Sequence, residues 1–146
     1  MRRRICPVSE CLLFSVMAIS LLSTATCAHG VDGSATDRVF EIRTYTTEPG
    51  KLDALLSRFR DHTAKLFEKH GIENIAYWTP ADEPHANDTL IYIVAHPSRD
   101  AAKKNWATFG NDPAWHKARD ASEASGKIVN KVESVYMNPT DFSPLK

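Results

Sequence analysis

The apolar residues of this chain keep two periods in turn, and the order of the two restricts the fold more than any motif does. Val39 to Thr46 (VFEIRTYT) alternates with period two: Phe40, Ile42 and Thr44 share one face, and Glu41, Arg43 and Tyr45 share the other. Leu52, Leu55, Leu56, Phe59, Leu66 and Phe67 then recur at helical spacing. Pro49 suits the first turn of that helix, where its missing N–H goes unneeded, and Gly71 supplies the stop. Ile72 to Thr79 (IENIAYWT) is a second strand, followed by the polar, turn-rich Pro80 to Asp88. Thr89 to His96 (TLIYIVAH) is apolar on both faces, the mark of a central strand. Ser98 caps a helix through Phe109 that buries Ala102, Trp106 and Phe109; Asn111-Asp112-Pro113 restarts a helix ending near Gly126. Lys127 to Met137 is the last strand, and Pro139 to Lys146 a tail.

The order β-α-β-β-α-β, joined by right-handed crossovers, gives an α+β fold, a ferredoxin-like sandwich with both helices on one face of an antiparallel sheet. The other sheet face is then bare. Ile91 and Ile93 oppose Leu90 and Val94, and Ile128 and Val132 oppose Val129 and Val135, so apolar residues lie on both sides. A second copy packed sheet to sheet is the simplest cover, and a homodimer is expected, with the second and fourth strands near the interface.

Residues 1–28 carry the marks of an export signal: Arg2, Arg3 and Arg4, an apolar run from Cys11 to Leu22, and small or polar residues from Ser23 to Ala28. The run falls short of the roughly 20 apolar residues that cross a bilayer, so no stable membrane anchor is expected. Cleavage is expected after Ala28, with Ala25 second; lipidation at Cys27 is disfavoured because Thr24 and Thr26 occupy the lipobox positions. The mature chain would be periplasmic or secreted. Residues 29–37 read as a flexible lead-in, and 38–146 as one domain.

Cys6, Cys11 and Cys27 are the only cysteines, so the mature domain has no disulfide or thiol chemistry. The leader removes three arginines and one glutamate from a balance of 18 basic against 18 acidic residues. The slightly negative remainder gives no attraction to nucleic acid. His62, His70, His96 and His116 are candidate bases, but His62 and His70 stand about 12 Å apart along one helix, too far to share a metal. No phosphate loop or nucleophile elbow occurs. No metal and no cofactor are expected.

Two groups of residues carry candidate chemistry. Glu41, Arg43 and Tyr45 on one face suit a carboxylate or quinone-like ligand, with Arg43 as clamp and Tyr45 as proton donor; equally, Glu41 and Arg43 suit a buried ion pair. Trp78, Trp106 and Trp115, with Tyr92 and Phe59, suit either an apolar pocket between sheet and helices or plain core. His62, beside the Leu/Phe stripe, is the histidine placed to reach a cleft.

The segments EIRTYT and EPGKLDALL, EKHGI…YW, NDPAWHKA and ESVYMNPTDFSPL, in that order over about residues 38 to 145, resemble the NIPSNAP domain. The resemblance implies a dimeric α+β barrel, a fold shared with small cofactorless monooxygenases, haem-handling enzymes and proteins without known activity. It fixes no reaction. The favoured reading is a dimeric domain that binds a small apolar molecule or a protein partner through Arg43, Tyr45, His62, Trp78, Tyr92, Trp106 and Trp115. The alternative is a small cofactor-independent monooxygenase or isomerase with an aromatic pocket.

Overall fold

The computed structural model describes residues 38–146; the expected export signal over 1–28 and the expected lead-in over 29–37 lie outside the described residues. The elements run β1 (Val39–Thr47), α1 (Leu52–Arg58), a π-helical segment (Phe59–Thr63), α2 (Ala64–Lys69), β2 (Glu73–Trp78), β3 (Thr89–His96), α3 (Arg99–Gly110), α4 (Pro113–Ser122) and β4 (Val129–Met137). The sheet order is β2-β3-β1-β4, every pairing antiparallel. This is the expected ferredoxin-like α+β architecture, with β3 central beside β1.

Local chemistry sets most boundaries. Ser98 accepts a hydrogen bond from the Ala101 N–H at 3.1 Å and opens α3. Asp112 accepts from the Ala114 N–H at 2.8 Å and Pro113 fills the first position of α4, as the sequence predicts. Gly71 ends α2 at φ 72°, and its carbonyl accepts from Asn105 Nδ2 at 2.7 Å. Pro49, by contrast, does not start the helix. Gly50 at φ 71° still turns the chain, and α1 begins at Leu52. Periodicity also gave no sign of the π-helical segment. There the Ala64 N–H reaches the Phe59 carbonyl, and Thr63 Oγ1 donates to the Arg58 carbonyl at 3.2 Å.

The helix-facing side of the sheet carries Glu41, Arg43 and Tyr45 of β1 opposite Val94, Tyr92 and Leu90 of β3. Tyr92 is at its centre, its ring between 5.2 and 6.0 Å from those of Phe59, Tyr45, Tyr77 and Phe67. Leu55, Phe67, Ile72 and Ile128 complete a sealed core. Leu55 is the fully buried leucine of α1, whereas its neighbour Leu56 is half-buried.

The opposite side presents Ile42, Ala76, Trp78, Ile91, Ile93 and Val135, with Trp78 50% and Val135 58% exposed. One end of that side has a cover that the sequence did not suggest. Residues 138–146 fold back so that Pro139, Thr140, Ser143 and Leu145 enclose, with Phe40, Ile93 and Met137, a hollow of about 260 Å³. Arg38 holds the strap, donating to the Lys146 carbonyl at 2.5 Å and to both Glu73 carboxylate oxygens at 2.8 Å. Among the described residues, no helix is long and apolar enough to cross a membrane.

Candidate functional site

The alternation of β1 drives a glutamate and an arginine into the space between sheet and helices, and both find partners there. Glu41 is fully buried. Its Oε1 accepts from Arg43 Nη1 at 2.7 Å and from Ser134 Oγ on β4, and its Oε2 accepts from Trp106 Nε1 on α3 at 2.6 Å. His96 Nε2, at the end of β3, stands 3.4 Å from Oε2 but out of line for a hydrogen bond. Burial alone would raise the Glu41 pKa; the nearby His96 ring, the donors Ser134 and Trp106 and the Arg43 charge outweigh it and hold the carboxyl at about 2.

Arg43 is the opening of this cluster toward solvent, with 18% of its side chain exposed. Its guanidinium lies 4.4 Å from the Trp106 ring centre and 5.7 Å from that of Tyr45, and Nη2 reaches Tyr45 Oη at 3.5 Å. Burial would lower its pKa, but Tyr45, Tyr92 and Glu41 raise it, so Arg43 is charged throughout the working range. Burial raises the pKa of Tyr92 and keeps its phenol protonated. On β4, Val132 is 42% exposed and Ser134, which donates to Glu41, is exposed too, so the cluster adjoins solvent along that strand.

Several polar atoms here lack partners. Among the described residues, six buried side-chain nitrogens and oxygens make no hydrogen bond. Four of them belong to this cluster: Arg43 Nε, Tyr92 Oη and both ring nitrogens of His96. Such atoms are uncommon, and their gathering at one place marks it as unfinished.

The structure therefore brings Arg43, Tyr45, Tyr92 and Trp106 together and leaves the other sequence candidates apart. His62 is exposed between the π-helical segment and α4, in an open hollow of about 340 Å³ with Asp61, Arg58 and Ser122, away from Arg43. Trp115 packs on Phe109 at 4.8 Å with Arg58 at 5.4 Å, on the helix layer. Trp78 is on the opposite sheet face. A bulge between Asn74 and Ala76 reverses the alternation of β2, so Tyr77 turns inward with Asn74 while Trp78 turns out. Sequence reasoning did not connect His96 or Ser134 to Glu41. His96 shares its parity with Tyr92 and Val94, which is a readable signal; Ser134 had none.

Nearby, Asp112 Oδ2 accepts from Lys69 Nζ and pairs with His70 Nε2, each at 2.7 Å, tying α2 to the start of α4. Those hydrogen bonds, with one from the Ala114 N–H, hold its carboxyl well below the usual range. Among the described residues, no three His, Cys, Asp or Glu side chains are grouped to hold a metal ion.

The NIPSNAP family model matches residues 40–144. No curated protein matches the chain. A NIPSNAP family protein with unknown function from Agrobacterium tumefaciens is 25% identical, with a TM-score of 0.64 over 76% of this chain and 96% of that one. An uncharacterized NIPSNAP-like domain protein from Burkholderia xenovorans is 14% identical, with a TM-score of 0.65 over 75% and 90%. A monooxygenase from Streptomyces coelicolor, ActVA-Orf6, solved with Nanaomycin D, is 17% identical, with a TM-score of 0.51 over 73% and 89%. The last two likenesses are of fold.

Proposed function

The chain belongs to the NIPSNAP family, and we propose that it binds a small, largely apolar planar molecule bearing an anionic or carbonyl oxygen, held by Arg43 among Tyr45, Tyr92 and Trp106. The observation that carries this reading is the pair of orphaned donors, Arg43 Nε and Tyr92 Oη, on residues that stand opposite each other across β1 and β3. A buried donor without an acceptor costs about 1–3 kcal/mol, and a ligand oxygen would relieve that cost. Glu41 neutralises much of the Arg43 charge, so the site favours a ligand that is mostly apolar over a highly charged one. The rings of Tyr45 and Trp106 offer flat surfaces to its body.

Titration with 2-naphthoate, followed through tryptophan fluorescence, tests the reading. Saturable binding that weakens about tenfold or more in Arg43→Gln is expected. Equal affinity in the two proteins would reject the site.

In this reading the functional unit is an exported two-fold homodimer, joined through the bare face that carries Trp78, Ile91, Ile93 and Val135. Intact-mass measurement of the exported protein should show loss of residues 1–28 and no lipid; a retained leader overturns export.

A second reading is oxidation of a bound phenol by dioxygen to a quinone and water. It draws on the two phenols beside the guanidinium, and on the activity named for the Streptomyces coelicolor protein. Oxygen uptake with 1-naphthol, lost in Arg43→Gln, would favour it; no uptake by the unaltered protein would reject it.

A further inference from the structure

We infer that the crevice beside the π-helical segment is a second binding site, for a small apolar monocarboxylic acid. The extra residue between α1 and α2 widens the helix where the Ala64 N–H bonds the Phe59 carbonyl. Phe59 is thereby turned into the core while Arg60 stays at the surface. Below this turn is a hollow of about 200 Å³, walled by Leu56, Phe59, Ala64, Tyr77 and Leu90, with Arg60 as the charged group in its lining. That exceeds the ~150 Å³ in which an apolar cavity takes up benzene.

The walls are braced against collapse. Asn74 Nδ2 on β2 donates to the Ala64 carbonyl at 2.9 Å, and Tyr77 Oη donates to Asn74 Oδ1. The polar end of Tyr77 is thus engaged, and its ring is left to face the crevice. Burial raises its pKa, so no phenolate competes for a bound anion. Arg60 makes no ion pair among the described residues. An apolar wall with one uncommitted guanidinium fits an apolar body that carries a single carboxylate. The crevice shares no lining residue with the Arg43 site, although the two adjoin: the Tyr45 ring is 5.8 Å from that of Phe59, and the Tyr92 ring 5.4 Å from that of Tyr77.

The test is calorimetric titration of the full chain with 3-phenylpropanoate and with 3-phenylpropan-1-ol, which differ only at the charged end. The acid should bind at least about fivefold tighter than the alcohol, and that ratio should fall to about one in Arg60→Gln, an exposed substitution that leaves the fold alone. Ala64→Leu, which fills the crevice, should weaken both ligands about tenfold. With the other site removed by Arg43→Gln, the acid should still bind at least about fivefold tighter than the alcohol, so failure at Arg43 and failure at the crevice are told apart. A ratio near one in the unaltered protein, a ratio unmoved by Arg60→Gln, or loss of binding in Arg43→Gln would each overturn the inference.

Discussion

Arg43 on β1 stands directly opposite Tyr92 on β3, and each carries a buried polar atom, Nε and Oη, that has no hydrogen-bond partner. The pairing makes stability and binding respond in opposite directions to one change. Tyr92→Phe removes the unpartnered hydroxyl and keeps the ring at the centre of the aromatic core. The ligand-free domain should gain about 1 kcal/mol or more in urea denaturation, while affinity for 2-naphthoate falls. A loss of stability would mean that Tyr92 Oη is already satisfied.

Glu41 should shape the acid limb of stability. Its folded pKa of about 2 lies below the ordinary 4.5, so its contribution is complete above 4.5 and is lost as pH falls toward 2. The shift corresponds to about 3 kcal/mol. Glu41→Gln should be less stable near neutrality, because the Arg43 charge is left uncompensated, and should lose less on acidification from pH 5 to 2. Some loss will remain through Asp112, whose carboxyl is also depressed. Parallel pH profiles for the two proteins would refute this role.

Neighbouring leucines of α1 should differ sharply. Leu55 is sealed in the core and Leu56 is half-buried at the crevice. Leu55→Ala should cost about 2–5 kcal/mol and Leu56→Ala distinctly less. Thermal unfolding of the pair decides the matter, and equal midpoints would contradict the packing described for α1.

The bare face should govern assembly. Val135 pairs with Ile42 on the bare sheet face, 58% exposed, opposite the side that carries Arg43, Tyr45 and Tyr92. Val135→Lys should convert a dimer at micromolar concentration into a monomer by sedimentation equilibrium. A monomeric unaltered domain would remove the dimer from the proposed function.

Much of this arrangement was legible in the chain because it follows from local rules. The parity of β1 placed Glu41, Arg43 and Tyr45 on one face, Ser98 and Asp112 announced two helix starts, and the two-sided apolarity of β3 marked it as central. Two of the misreadings came from single inserted residues. A bulge in β2 turned Trp78 outward, and one added residue in the first helix produced the π-helical segment and its crevice. Neither insertion has a compositional signature, because each depends on what packs beneath it. The Glu41 cluster was half visible: its β1 members share a strand, but Ser134 and Trp106 come from segments that only the tertiary fold brings near.

The position of β1 inside the sheet has a kinetic consequence. Glu41 and Ser134 are 93 residues apart in sequence, yet they share a hydrogen bond, and Phe40 pairs with Met137 at the far end of the domain. The earliest strand cannot gain its second neighbour until the latest one is available. Contacts of such high separation make the folding barrier large and place completion of the sheet late, after the helices and the β2-β3 pairing have had time to form. A domain built this way stays open along one edge until its last strand docks.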